Sequence, residues 1–270
     1  MPYPLNTPLG RFGVQTAEES PDRCVASIPV AGLVNPLTGA PTTAPLAMLV
    51  DHVGGLINHA RRGSREWTVS SELSLEVVAE AIEVIAAAPG HDVVAVSRPL
   101  GRKGRVALGT CDLSVGAELV ATATVRSFYI TAPDSLVDWP NQPAGTLPGT
   151  RLDQLMAVHV GESGGAATVL VQDDDPVLNN SVGAVHGGVS SMGLELAANA
   201  AVNDRGGAAA QDGFRTASLR VNFLRPFHGG GDAHYRADAT HTGRSSAVAE
   251  ARAVGRDGRT AITARLTAYR

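Results

Sequence analysis

Gly39-Ala40-Pro41-Thr42-Thr43-Ala44-Pro45-Leu46-Ala47-Met48-Leu49-Val50-Asp51 aligns without a gap on Gly183-Ala184-Val185-His186-Gly187-Gly188-Val189-Ser190-Ser191-Met192-Gly193-Leu194-Glu195, 144 residues downstream. Both stretches leave a loop of small residues, enter an apolar segment and end on a carboxylate. Self-similarity at so long an interval reads as two copies of one unit. Upstream, Asn35 falls on Asn179, and the alternating run from Val25 to Val30 falls on Val169 and its neighbours. Downstream, Thr68 to Val78 resembles Thr216 to Pro226, and Gly104-Arg105 resembles Gly243-Arg244. Between the copies, residues 131–150 hold Pro133, Pro140, Pro143 and Pro148 with Gly145 and Gly149, the composition of an extended linker. The units are therefore expected at 1–130 and 151–270.

Each unit repeats one grammar. A strand with half-buried alternation comes first, Cys24 to Val30 in one copy and Ala167 to Gln172 in the other. A loop rich in Asn, Pro and Gly then leads into a helix, expected over Pro45 to His59 and Gly187 to Asn203. Leu46, Met48, Leu49, Val50, Val53, Leu56 and Ile57 make the first helix apolar on nearly every face, which is the mark of a buried helix. Strand-like runs follow, in the second copy Thr216 to Leu224, Asp232 to Thr242, Ser245 to Val254 and Thr260 to Ala268, with Asp257-Gly258 as a hairpin turn. The fold class is α+β: in each unit a curved antiparallel sheet wraps one central buried helix.

Composition narrows the function. The chain has 270 residues, 44% hydrophobic and 18% charged, with a formal net charge of −4, so it folds around a sizeable core. Of 22 basic residues only Lys103 is a lysine, and the arginines are scattered along the sequence, which argues against a nucleic-acid partner. Met1 to Leu9 lacks the basic start and apolar core of a secretory signal, and the Ala-rich stretch Ala79 to Ala88 is short and broken by Glu80 and Glu83. A cytoplasmic protein that does not span a membrane is expected. Cys24 and Cys111 stand alone, as buried apolar residues rather than a disulfide or thiolate site. No histidine spacing fits a metal site, and no metal is expected.

The segment Asn179-Asn180-Ser181-Val182-Gly183-Ala184-Val185-His186-Gly187-Gly188 carries the candidate chemistry. Two glycines at a helix start let a ligand approach backbone N–H groups that the helix leaves unpaired, and these stabilise developing negative charge. Glu195 and Asp51 sit at matching places in apolar helices, where an ionised carboxylate is costly unless it is paired or faces a cleft.

These residues resemble the hotdog-fold acyl-CoA thioesterases, in particular the phenylacetate-pathway type. The resemblance rests on Asn180 to Gly188, Glu195, Leu219-Arg220-Val221-Asn222-Phe223-Leu224-Arg225-Pro226 and His241-Thr242-Gly243-Arg244-Ser245. It covers the second copy best, and the first copy enters through Asp51 and the internal repeat. It implies a single-chain double hotdog, with the two sheets joined side by side and a site at each junction. One site would combine Gly187, His186 and Asn180 with Asp51; the other would combine Thr43 and Ala44 with Glu195. Because Thr42-Thr43-Ala44 and Pro36 stand where the second copy has His186-Gly187-Gly188 and Asn180, the Asp51 site is expected to be the fully equipped one.

The implied reaction is hydrolysis of an acyl-CoA thioester, with coenzyme A as part of the substrate and no other cofactor. Gly187 N–H would hold the oxyanion, and the carboxylate would activate water or attack directly. Gly188, Thr216, Arg225 and the Gly243-Arg244-Ser245 turn are the expected substrate contacts, Thr216 toward the water or thiolate and the arginines toward phosphate. A non-catalytic acyl-CoA-binding module is the other reading of the same residues. One chain already supplies the paired unit, and such chains can pair again into a homo-oligomer.

Overall fold

A computed structural model describes residues 3–137, 146–161, 168–204 and 213–270. Pro140, Pro143 and Gly145 of the expected linker, and Ala167, lie outside the described residues. The first unit runs α1 (Pro8–Arg11), β1 (Gln15–Glu19), β2 (Cys24–Ile28), α2 (Pro45–His59), β3 (Glu66–Val77), α3 (Ala81–Ala87), β4 (Val93–Leu100), β5 (Val106–Val115) and β6 (Glu118–Thr131). The second runs α4 (Leu152–Met156), β7 (Val158–Val160), β8 (Thr168–Gln172), a 3-10 turn (Pro176–Leu178), α5 (Gly187–Asn203), β9 (Arg215–Phe223), β10 (His234–Thr242), β11 (Ser246–Val254) and β12 (Thr260–Tyr269). Both central helices have the bounds expected from their apolar runs.

The strands form one antiparallel sheet in the order β1-β2-β4-β5-β6-β3-β9-β12-β11-β10-β8-β7. Reading outward from the β3–β9 junction, the two halves have the same topology, so a pseudo-twofold axis passes between them. This is the double hotdog. The junction pairs Leu73 with Val221, Ser74 with Arg220 and Leu75 with Leu219. Leu73, Leu75, Leu219 and Val221 are buried beneath the helices, and burial of such side chains is worth about 1.5–3 kcal/mol each. On the opposite face, Arg220 and Glu76 form an ion pair across the same junction.

Packing of α2 on α5 brings the two sites into being. At Gly188 an added Cβ would lie 2.6 Å from Met48 Sδ and 2.8 Å from Met48 Cα, so the absent side chain sets how closely the helices approach. Asp51 on α2 thereby faces the first turn of α5, and Glu195 on α5 faces the residues before α2. No helix among the described residues is long and apolar enough to cross a membrane.

The structure corrects two details of the repeat. Asn35 N donates to Ala40 O at 2.8 Å, and Asn180 N donates to Ala184 O at 2.7 Å. Isolated bridges close the same two loops, Val34 with Pro41 and Asn179 with Val185. The first loop is thus one residue longer, and Asn35, not Pro36, is the counterpart of Asn180. In the strands, β3 bulges between Ser70 and Glu72, and β9 bulges opposite Thr267/Ala268, between Thr216 and Ser218. Matching the bulges pairs Ser70 with Thr216 and Thr68 with Phe214, two residues away from the gapless reading.

Candidate active site

Asp51 lies in the middle of α2 and is buried. Its Oδ1 accepts a hydrogen bond from Ser70 Oγ at 3.0 Å. Its Oδ2 is turned to the start of α5, where a Cβ on Gly187 would come within 2.7 Å of it. Only glycine leaves room there for the carboxylate, and Gly187 supplies one of the N–H groups that the first helical turn cannot pair internally.

His186 is the N-cap of α5. Its Nδ1 accepts the Gly188 N–H at 3.1 Å, which uses up the second glycine's donor. Burial lowers the His186 pKa, against an opposing pull from Asp51, so the ring is neutral at pH 7 with its proton on Nε2. The 3.5 Å approach of Nδ1 to Asp51 Oδ2 therefore brings two acceptors together and is not an ion pair. Asn180 organises the preceding loop: its Oδ1 accepts Val182 N at 3.1 Å and Ala184 N at 3.2 Å.

These groups border a cavity of about 570 Å³ between the units. Asp51, Gly187, His186 and Asn180 line it together, with Arg225 beside them. Arg225 Nη1 is buried and has no hydrogen-bond partner among the described residues, so a donor awaits an anionic or carbonyl oxygen there. Along α2 the wall continues through Gly55 and Leu56 to His59, which contacts Thr68 Oγ1 at 2.7 Å and packs edge-on against Trp67. Tyr3 and His52 form another part of the wall, joined through Thr16: Tyr3 Oη is 3.0 Å and His52 Nε2 is 2.8 Å from Thr16 Oγ1. Burial, reinforced by His186, lowers the His52 pKa to about 3, and burial with Arg62 lowers that of His59 to about 4. Both are neutral wall groups at pH 7.

Other expected site residues lie elsewhere. Gly188 packs on Met48, not on the cavity. Thr216 serves Glu195, donating to Oε1, while Thr42 Oγ1 donates to Oε2 at 3.4 Å. The Gly243-Arg244-Ser245 turn joins β10 to β11 at the sheet end occupied by Arg215 and Tyr269, next to Thr216 and so on the Glu195 side. None of these residues lines the cavity.

The Glu195 junction repeats the Asp51 junction with different residues. Thr42 plays the part of His186, since its Oγ1 accepts Ala44 N at 3.1 Å, but Pro45 then removes an N–H from the helix start. Asn199 and Asn203 stand where the first copy has Gly55 and His59, and buried Phe214 stands where it has Thr68. Asn199 Nδ2 and Asn203 Nδ2 donate to Phe214 O at 3.3 and 3.0 Å, and Phe214 N donates to Asn203 Oδ1 at 2.8 Å, tying the Phe214 backbone to the end of α5.

Burial raises the Glu195 pKa to about 7 despite its two hydroxyl donors. The folded chain therefore keeps the Glu195 proton to about pH 7, whereas the unfolded chain releases it near 4.5. This contribution to stability is complete below about pH 4.5 and is lost as the pH rises through about 7. Glu195→Gln, which cannot ionise, is expected to flatten that part of the stability profile. Thermal unfolding between pH 4.5 and 8 checks it, and parallel profiles for the two proteins would contradict it.

Ser70, His59, Trp67 and the Tyr3–Thr16–His52 chain could not be found from spacing, because each reaches the cavity from a different element. Only the bulge in β3 marks Ser70, and a bulge leaves no fixed sequence pattern. Among the described residues no group of three His, Cys, Asp or Glu side chains is placed to hold a metal ion.

A thioesterase-superfamily model matches residues 182–262, from the loop before α5 into β12. It therefore includes Gly187 and Glu195 but not Asp51. A search of the curated proteins finds no match. Among solved structures, the tesB protein of Mycobacterium avium subs paratuberculosis is 15% identical with a TM-score of 0.58, over 97% of both chains. The acyl-CoA thioesterase II TesB2 of Mycobacterium marinum is 11% identical with a TM-score of 0.56, over 96% of this chain and 94% of that one. A conserved hot dog fold protein from Alicyclobacillus acidocaldarius is 14% identical with a TM-score of 0.55, over 94% of this chain and 95% of that one. At these identities the likeness is one of fold. The chain is a tandem double hotdog whose C-terminal unit matches the thioesterase superfamily.

Proposed function

We propose that the protein hydrolyses an acyl-CoA thioester in the cavity between its units, with Asp51 and Gly187 as the acting groups. The observation that carries this reading is their convergence: a carboxylate from one unit lies against the first-turn backbone of the other, at one wall of a cavity that both line. Gly187 N–H receives the thioester carbonyl oxygen and, with the helix dipole behind it, stabilises the oxyanion, an effect of about 3–4 kcal/mol for one such donor. Asp51, steadied by Ser70, takes a proton from the water that attacks the carbonyl carbon. The C–S bond then breaks, and the thiolate leaves with a proton as free coenzyme A. His186 acts through the cap, holding the first turn of α5 in place.

The superfamily match over residues 182–262 supports a thioester substrate. Thiol release from short, medium, long and aromatic acyl-CoAs tests the reaction. Hydrolysis of at least one class is expected; binding of these esters without any hydrolysis would overturn the enzyme reading in favour of a binding module.

A further inference from the structure

The sequence scatters its cations, but the fold gathers them. The segment after α2 carries Arg61, Arg62 and Arg65; the end of β4 and the β4–β5 connection carry Arg98, Arg102, Lys103 and Arg105. Arg61 Nη2 donates to Gly101 O at 3.1 Å, so the two segments lie against each other. Glu66, which pairs with Lys103, is the one acid they bring. Seven cations face one carboxylate on a chain whose formal charge is −4. Among the described residues, Arg62, Arg65, Arg98, Arg102 and Arg105 are exposed and pair with no carboxylate. Arg61 Nη1 is buried without a partner among those residues, a cost that an anionic oxygen would relieve.

The patch borders the cavity. Arg62 Nη1 donates to the carbonyl of His59, whose side chain is cavity wall, and the wall residues Trp67 and Thr68 follow Arg65 after one residue, Glu66. His59 lies eight residues beyond Asp51 on α2, about 12 Å along the helix. A ligand reacting at Asp51 and lying along α2 thus ends among unpaired arginines. The equivalent turn of the other unit, Gly243-Arg244-Ser245, lies on the Glu195 side.

We infer that residues 61–65 and 98–105 form the docking site for the phosphate groups of the leaving-group carrier, the 3′-phosphorylated nucleotide and diphosphate of coenzyme A. The inference rests on the proposed thioester reaction and adds to it where the substrate's anionic end goes. Guanidinium forks suit phosphate oxygens, and a focused positive field draws a polyanion to the cavity mouth.

The triple variant Arg62→Glu, Arg102→Glu and Arg105→Glu alters exposed side chains only, with Arg252→Glu on β11 as a control. For acyl-CoA, KM is expected to rise about tenfold in the triple variant with kcat unchanged, the effect of removing three exposed contacts of ordinary strength. The matching N-acetylcysteamine thioester, which has no phosphate, is expected to keep its KM. Added salt should raise the acyl-CoA KM of wild type and leave that of the variant flat. Calorimetry with adenosine 3′,5′-bisphosphate reads the site without turnover. Binding to wild type and not to the variant sustains the inference even if no thioester is hydrolysed. An unchanged acyl-CoA KM overturns it, and so does a loss confined to an acylated carrier protein, which would make the patch a protein-docking surface.

Discussion

Asp51→Asn is expected to lower kcat by about 10²–10⁴-fold, the usual contribution of a positioned general base, with little change in KM. The amide keeps the size of the carboxylate and still offers Ser70 an acceptor, so thermal unfolding is expected to stay near wild type. Glu195→Gln in the same assay is expected to retain turnover. Its carboxyl group is buried between the Thr42 and Thr216 hydroxyls and is not part of the cavity wall. Full activity in Asp51→Asn would overturn the assignment of the acting carboxylate, and loss in Glu195→Gln alone would transfer the role to the other copy.

The second large effect is expected at Gly187. In Gly187→Ala the new Cβ would stand 2.7 Å from Asp51 Oδ2 and 3.2 Å from its Cγ, far inside van der Waals contact. Either the carboxylate turns away or the first turn of α5 retreats, and both separate the base from the oxyanion donor. A fall in kcat of about 10²–10³-fold is expected, comparable to loss of an oxyanion-hole donor. Gly188→Ala provides the contrast one residue along. Its Cβ meets Met48 in the α2–α5 contact, so it should lower stability by about 1–3 kcal/mol, the ordinary cost of overpacking. Denaturant unfolding and kcat measured on both variants separate the two positions, and a purely structural loss at Gly187 would contradict its role.

Much of the fold is legible because it repeats. The bounds of α2 and α5 follow from apolar runs that each begin at a Pro or Gly and end at a polar residue. The strands β9 to β12 follow from period-two alternation, since one face of the sheet lies on α5. Short elements are different: α1, α4 and β7, of three to five residues, are held by tertiary contacts and carry too few residues to show a period. Gapless alignment mistook Pro36 for the counterpart of Asn180, because one extra loop residue changes neither composition nor the helix that follows.

The candidate site was legible only in part, and for a related reason. His186, Gly187 and Asp51 belong to the repeated core, where helix packing fixes their meeting. Ser70 depends on a bulge, and Thr216 was drawn toward the cavity by its position in the strand, although the bulge delivers it to Glu195. The arginine patch escaped because its two halves are separated by β3 and α3 and meet only in the fold, through Arg61 with Gly101 and Glu66 with Lys103.

The most direct measurement is the stoichiometry of a non-hydrolysable acyl-CoA thioether bound to the chain, read by calorimetry on wild type, Gly187→Ala and Glu195→Gln. One composite cavity with its carboxylate from α2 and its backbone donor from α5 predicts one ligand per chain, weakened in Gly187→Ala and unchanged in Glu195→Gln. Two ligands per chain, or one that is lost with Glu195→Gln and kept in Gly187→Ala, would contradict it.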